Sequence, residues 1–106
     1  MSITPPLDKI HHLALSVSDI AASVAWYRQK FNCEITYQDE TWALLKFANV
    51  SMALVIPGQH PPHVGVLHAD AAQFGPLTTH RDGTRSVYMP DPDGNMIEVL
   101  DADSVR

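Results

Sequence analysis

Three side chains in this sequence could serve one chemical purpose together, namely His12, His63 and Glu98. Glu98 sits in Asn95-Met-Ile-Glu-Val-Leu-Asp101. Strand alternation puts Ile97 and Val99 on one face, and Met96, Glu98 and Leu100 on the other. A carboxylate between apolar neighbours is costly to bury unpaired. It needs a partner, and a metal ion is one. His12 and His63 open two similar stretches, His12-Leu-Ala-Leu-Ser-Val-Ser-Asp19 and His63-Val-Gly-Val-Leu-His-Ala-Asp70, aligned at an offset of 51. His falls on His and Asp on Asp, and the apolar face repeats except that His68 meets Val17. Two imidazoles and a carboxylate would hold Fe(II), Mn(II), Ni(II), Co(II) or Zn(II) with coordination positions left open.

These residues need strands to position them. The run Ser86 to Leu100 is two apolar segments around Asp91-Pro92-Asp93-Gly94. Pro presets a turn φ and Gly tolerates positive φ, so the chain reverses there and pairs antiparallel. Residues 9–18 read as another strand. Leu13, Leu15 and Val17 form an apolar face expected to pack on a helix, with His11 on that side. Ile10, His12, Ala14 and Ser16 form a small, partly polar face suited to a cavity wall. Asp19 caps a helix over 20–31, with Ile20, Val24, Tyr27 and Phe31 at helical spacing and Asn32 as a left-handed cap. Strands over 34–38, 42–47 and 51–56 complete a βαβββ unit.

The linker Gly58-Gln-His-Pro-Pro62 stops pairing, and the pattern then restarts. The unit ends also align, Asn95-Met-Ile-Glu-Val-Leu on Ser51-Met-Ala-Leu-Val-Ile at an offset of 44, which places Leu54 opposite Glu98. The second unit is therefore shorter between Ala71 and Thr84, with room for only a stunted helix near 71–74 and one very short or missing strand. An internal duplication predicts paired modules, about 8–57 and 62–101, in one domain over 1–106. The fold class expected is α+β, with two βαβββ modules in a cup-shaped mixed sheet. Leu54 offers no fourth ligand.

Twelve acidic residues against seven basic ones give a formal charge of −5. No Lys/Arg cluster appears, which argues against nucleic acid and anionic membranes. The single Cys33 excludes an internal disulfide and fits a reducing compartment. Residues 1–8 read as a short proline-bearing leader without a signal-peptide pattern, so the cytoplasm is expected.

Together with Val24-Ala-Trp-Tyr27 and Arg85-Ser-Val-Tyr-Met-Pro-Asp-Pro-Asp-Gly-Asn-Met-Ile-Glu98, these stretches resemble the vicinal oxygen chelate superfamily of glyoxalases, bleomycin-resistance proteins and extradiol dioxygenases. The resemblance spans nearly the whole chain. It implies one divalent ion on His12, His63 and Glu98, and chemistry on a small substrate that chelates it through adjacent oxygens. Isomerase, lyase or related Lewis-acid chemistry follows, with Glu98 also able to move a proton. It implies a homodimer too, in which ligands can come from both subunits. Leu54 stands where glyoxalase I places an acidic ligand. The alternatives are a non-catalytic binder of antibiotic-type molecules and an Fe(II) extradiol dioxygenase. Trp42 is a candidate substrate wall, or else an interface residue. Arg85 is the cation placed for an anionic substrate, or else a partner of surface acids. His60 belongs to the linker, His68 lies over the short helix, and His80 sits in a turn beside the cup.

Overall fold

The computed structural model describes residues 6–105. Most of the expected leader lies outside them, and residues 6–8 carry no regular structure. The elements are β1 (Lys9–Ser16), α1 (Ile20–Lys30), β2 (Glu34–Gln38), β3 (Trp42–Lys46), β4 (Ser51–Val55), β5 (His63–His68), a 3-10 turn (Ala71–Phe74), β6 (Thr78–Thr79), β7 (Arg85–Pro90) and β8 (Met96–Asp101). The eight strands form one sheet in the order β2-β3-β4-β1-β5-β8-β7-β6, curled into a half-barrel. β1 and β4 pair in parallel, as do β5 and β8, while β1 and β5 pair antiparallel where the two halves meet. This is the expected α+β architecture. The shortened stretch of the second half leaves four residues of 3-10 turn and a two-residue β6.

Helix α1 starts where Asp19 accepts a hydrogen bond from the Ala22 N–H at 3.0 Å, as its cap position favours. Ile20 and Val24 pack with Cys33, Ala43, Leu45 and Leu54 on the outer face of the sheet. The helix ends differently from expectation. Phe31 is extended at φ −133°, its N–H bonded to the Tyr27 carbonyl, and no non-glycine among the described residues has positive φ. Asn32 is therefore no left-handed cap. The helix also lies over β3 and β4 rather than β1. Leu13 and Leu15, expected beneath it, stay 41% and 42% exposed.

A β-bulge decides what β1 presents. Ile10 pairs with Val66 and His12 with Gly65, so His11 is an extra residue in the strand. Two residues then oppose one, and alternation breaks locally. His11 turns to the His12 side instead of the opposite one, and Ile10 moves outward with Leu13 and Leu15.

Strand register corrects a second expectation. Ala14 pairs with Ala53, and Gly65 pairs with Glu98. With His12 equivalent to His63, the counterpart of Glu98 is Ala53, not Leu54. Leu54 is fully buried in the cluster beneath α1, because a one-residue slip moves a side chain to the other face. Alanine offers no donor either, so the first half still contributes no carboxylate.

The final hairpin turns as expected, with a definite register. Gly94 sits at φ 86°, its N–H bonded to the Asp91 carbonyl at 3.0 Å. Asp91 Oδ1 accepts from the N–H groups of Asp93 at 2.9 Å and Asn95 at 2.8 Å. This places Tyr88 directly opposite Glu98. The Asn95 side chain and these N–H groups hold the Asp91 carboxyl below its usual pKa. The Arg85 guanidinium does the same for Asp101. A depressed carboxyl stabilises the fold above its unfolded pKa, about 3.9, and that contribution is lost as pH falls through the folded value. The thermal midpoint should therefore drop as pH falls below about 4, and Asp91→Asn should make that drop shallower. Thermal unfolding between neutral and strongly acidic pH checks this; superimposable slopes for variant and wild type would refute it.

Candidate metal centre

His12, His63 and Glu98 come from β1, β5 and β8, three successive strands of the sheet. All three are buried, at 6%, 8% and 5% exposure. Their donor atoms converge. His12 Nε2 and His63 Nε2 lie 2.9 Å apart, and Glu98 Oε1 is 3.0 Å from the first and 3.1 Å from the second. A triangle with such edges matches an ion about 2.1 Å from each atom with near-right angles between bonds. The buried group can therefore hold a metal ion.

The hydrogen bonds behind the triangle bear on the same question. His63 Nδ1 lies 2.7 Å from the Pro61 carbonyl. A carbonyl only accepts, so Nδ1 carries a proton toward it, and Nε2 is the nitrogen that faces the place of an ion. Metal-bound histidines commonly give their other N–H to such an acceptor. The ring of His12 rests over Gly65. A Cβ built on Gly65 would lie 2.2 Å from His12 Cε1, so only glycine leaves that ring its place.

Glu98 is oriented through its second oxygen. Ser86, 1% exposed, donates to Glu98 Oε2 at 2.7 Å. His80 Nε2 lies 2.6 Å from Ser86 Oγ and 3.2 Å from Glu98 Oε2. Burial pushes the Glu98 carboxyl up, but hydrogen bonds from His12, His63, His80 and Ser86 outweigh it and hold the group below the usual carboxylate range. The bond to Glu98 raises the His80 pKa above its ordinary value. Burial and the Glu98 charge raise that of Tyr88, which keeps its phenol protonated. The Tyr88 ring stands edge-on to His63 at 5.1 Å. Ser86→Ala would free Glu98 Oε2 from its buried donor, at a stability cost of about 1–3 kcal/mol. Metal affinity should fall roughly ten- to hundredfold, as for other partners of metal ligands. Competition titration against a chromogenic chelator measures it.

The triangle forms the floor of a cavity of about 80 Å³. Trp42, Leu44, Val55 and Leu100 give it an apolar side; His11, His60, His80, Arg81 and Tyr88 give it a polar one. Trp42 stacks on Tyr37, with ring centroids 4.3 Å apart. Arg85, by contrast, does not line the cavity. Alternation along β7 turns Ser86 and Tyr88 inward, and the Arg85 guanidinium binds Asp101 at 2.6 Å outside. The cation at the cavity is Arg81, which bonds Asp39 Oδ2 at 2.7 Å and Thr41 Oγ1 at 3.0 Å across the mouth. His60 reaches the cavity from the linker, and His68 instead packs edge-on against Phe74 at 5.3 Å. Ser86 and Tyr88 could have been found from the hairpin register. His11 could not, since nothing in the residue pattern announces the bulge.

Residues 9–75 match the family model described as Glyoxalase/Bleomycin resistance protein/Dioxygenase superfamily. The chain belongs to this superfamily. Solved structures agree on its fold. A methylmalonyl-CoA epimerase in complex with methylmalonyl-CoA and NH4+ is 18% identical, with 90% of this chain and 94% of that one covered and a TM-score of 0.71. A methylmalonyl-CoA epimerase from Mycobacterium tuberculosis is 13% identical over 87% and 86% of the two chains, with a TM-score of 0.70. A superfamily member from Vibrio splendidus 12B01 is 14% identical over 89% and 98%, with a TM-score of 0.63. No curated protein matches the sequence. Among the described residues, no helix of this superfamily member is long and apolar enough to cross a membrane.

Proposed function

We propose that the protein is a metal-dependent, glyoxalase-like enzyme acting on a small substrate with vicinal oxygens, through isomerisation, lyase or related chemistry. The observation that carries this reading is the convergence of His12 Nε2, His63 Nε2 and Glu98 Oε1 within 3.1 Å at the cavity floor. His12, His63 and Glu98 would hold one divalent Fe, Mn, Ni, Co or Zn ion per chain. Such an ion supplies Lewis-acid polarisation of the adjacent oxygens and stabilises developing negative charge.

The chain's own residues do the rest. A cavity of about 80 Å³ suits a small substrate. Trp42, Leu44 and Val55 exclude water from its apolar side. Arg81 and His60 stand at the mouth, where the substrate's polar end would enter. Glu98, besides holding the ion, is the proton carrier. Ser86 Oγ donates to Glu98 Oε2 at 2.7 Å and lies 2.6 Å from His80 Nε2, a hydrogen-bonded chain through which a proton exchanges with the cavity wall. The reading includes a homodimer in the cytoplasm, without nucleic acid or membrane partners, in keeping with a charge of −5.

Elemental analysis of purified protein beside His63→Ala tests it. Close to one ion per wild-type chain, lost in the variant, is the expected result. Iron would direct the search toward oxygen-dependent ring opening; nickel, cobalt, manganese or zinc toward isomerases and lyases. No retained metal after soaking in several divalent ions would overturn the reading in favour of a metal-free ligand-binding protein.

A further inference from the structure

Arg81 joins the two ends of the sheet. It sits in the turn between β6 and β7, and its partners sit in the turn between β2 and β3. These hairpins lie at opposite ends of the strand order, and the contact spans the mouth of the cavity. Arg81 Nη1 donates to Asp39 Oδ2 at 2.7 Å, and Nη2 to Thr41 Oγ1 at 3.0 Å. Among the described residues, it is the one Lys or Arg that lines the cavity. Asp82 lines it too, but Asp82 Oδ1 accepts from the Thr84 N–H at 3.0 Å and the Thr84 hydroxyl at 2.7 Å. That carboxylate is held within its own turn, and Arg81 pairs elsewhere.

Asp39 uses its two oxygens differently. Oδ1 accepts from the Thr41 N–H at 2.7 Å, the Thr41 hydroxyl at 2.8 Å and the Trp42 N–H at 3.0 Å. Those bonds make the turn. Oδ2 faces outward and accepts from the Tyr37 hydroxyl at 2.6 Å and from Arg81. The turn therefore stands without Arg81. The Arg81 and Asp39 side chains are 59% and 23% exposed, and an ion pair that open to water adds little to stability. Arg81 can leave Asp39 at small cost to the fold. A guanidinium presents two parallel N–H groups that match both oxygens of one carboxylate. Here that fork is filled by oxygens of two residues, and only Asp39 is charged.

We propose that Arg81 selects a carboxylate of the substrate, giving up Asp39 and Thr41 to bind both of its oxygens. The substrate class is then a small acid with two parts, the vicinal oxygens and a separate carboxylate. This rests on the reading of the cavity as a substrate site and narrows it. The exchange swaps one charged pair for another, so Asp39 opposes binding. Removing the Asp39 charge should therefore strengthen it, an effect that an ion pair serving only the fold would not produce.

Calorimetric titration of the Zn(II)-supplied protein tests this with malate and α-hydroxyglutarate, which carry the second carboxylate at two reaches. Each is compared with the same chain ending in methyl, α-hydroxybutyrate or α-hydroxyvalerate. At least one diacid should bind about tenfold more tightly than its methyl counterpart. Arg81→Gln should abolish that preference and leave the methyl-ended acids unaffected. Asp39→Asn keeps the amide oxygen for the turn and should raise diacid affinity several-fold. Thermal unfolding checks that both variants keep the fold. Equal affinity of diacid and counterpart, no binding of any of the four at millimolar concentration, or a preference that survives Arg81→Gln would overturn the proposal. So would weaker diacid binding in a folded Asp39→Asn. Failure of Zn(II) to bind would instead sink the metal reading, and the same pairs of acids without Zn(II) would then judge Arg81.

Discussion

Gly65→Ala yields a folded chain that no longer retains metal. The added methyl would stand 2.2 Å from Cε1, 2.4 Å from Nδ1 and 2.8 Å from Nε2 of His12. Three atoms of one ring are hit together, so no small tilt relieves the contact and the imidazole must leave its rotamer. Gly65 lies in β5 with Glu98 as its neighbour on one side and His12 on the other. The backbone there is held by both ladders and cannot retreat. Overpacking of this kind costs about 1–3 kcal/mol, which a chain with this much buried sheet withstands. The effect on the site is far larger, because a displaced His12 removes one of three donors. Metal content should match that of His12→Ala, while circular dichroism shows the wild-type fold. Full metal occupancy in Gly65→Ala would mean the ring has space that the structure does not show.

Glu98→Gln has the second large effect, and it separates charge from shape. Glutamine fills the same volume and still reaches Ser86. It contributes no negative charge to the triangle, and its amide can turn N–H groups toward the place an ion would occupy. Loss of metal affinity should exceed about a hundredfold, the upper end of what removing a ligand's partner costs. In the metal-free protein the change is milder. Glu98 is held by Ser86 and faces three imidazoles, and glutamine can satisfy only some of these contacts. The cost should be about 1–3 kcal/mol, which for a domain of this size lowers the thermal midpoint by several degrees. Measuring zinc affinity by chelator competition and unfolding by calorimetry resolves the two. Unchanged affinity would remove Glu98 from the donor set.

Much of this was legible from residue pattern because the duplication carries long-range information. His12 and His63 repeat at one offset, so the halves could be superposed without knowing how they pack. The final hairpin announces itself through Asp91-Pro92-Asp93-Gly94, and strand alternation then turns Glu98 inward. What failed did so where alternation or equivalence depends on a single residue. The bulge at His11 adds one residue and sends Ile10 outward. Matching the strand ends one residue off made Leu54 the counterpart of Glu98, whereas the paired registers make Ala53 that counterpart. Arg85 was expected at the cavity and Arg81 stands there instead, for a related reason. Arg85 sits in a strand whose inward face belongs to Ser86 and Tyr88. Arg81 sits in a turn, where direction is set by tertiary contacts that periodicity does not encode. Leu13 and Leu15 looked like core because their face is uniformly apolar, but one helix is too narrow to cover β1 as well as β3 and β4.

The site straddles the seam between β1 and β5. His12 belongs to one half of the chain, and His63 and Glu98 belong to the other. Any ion gripped by all three is also a clasp between the halves. By mass action, free ion at a hundred times its dissociation constant adds about 2.7 kcal/mol to the folded state, and here that increment falls on the junction itself. Opening the seam discards the ion, and discarding the ion loosens the seam. Supply of metal in the surroundings would thus bear on how long the two halves stay joined, and so on the lifetime of the fold.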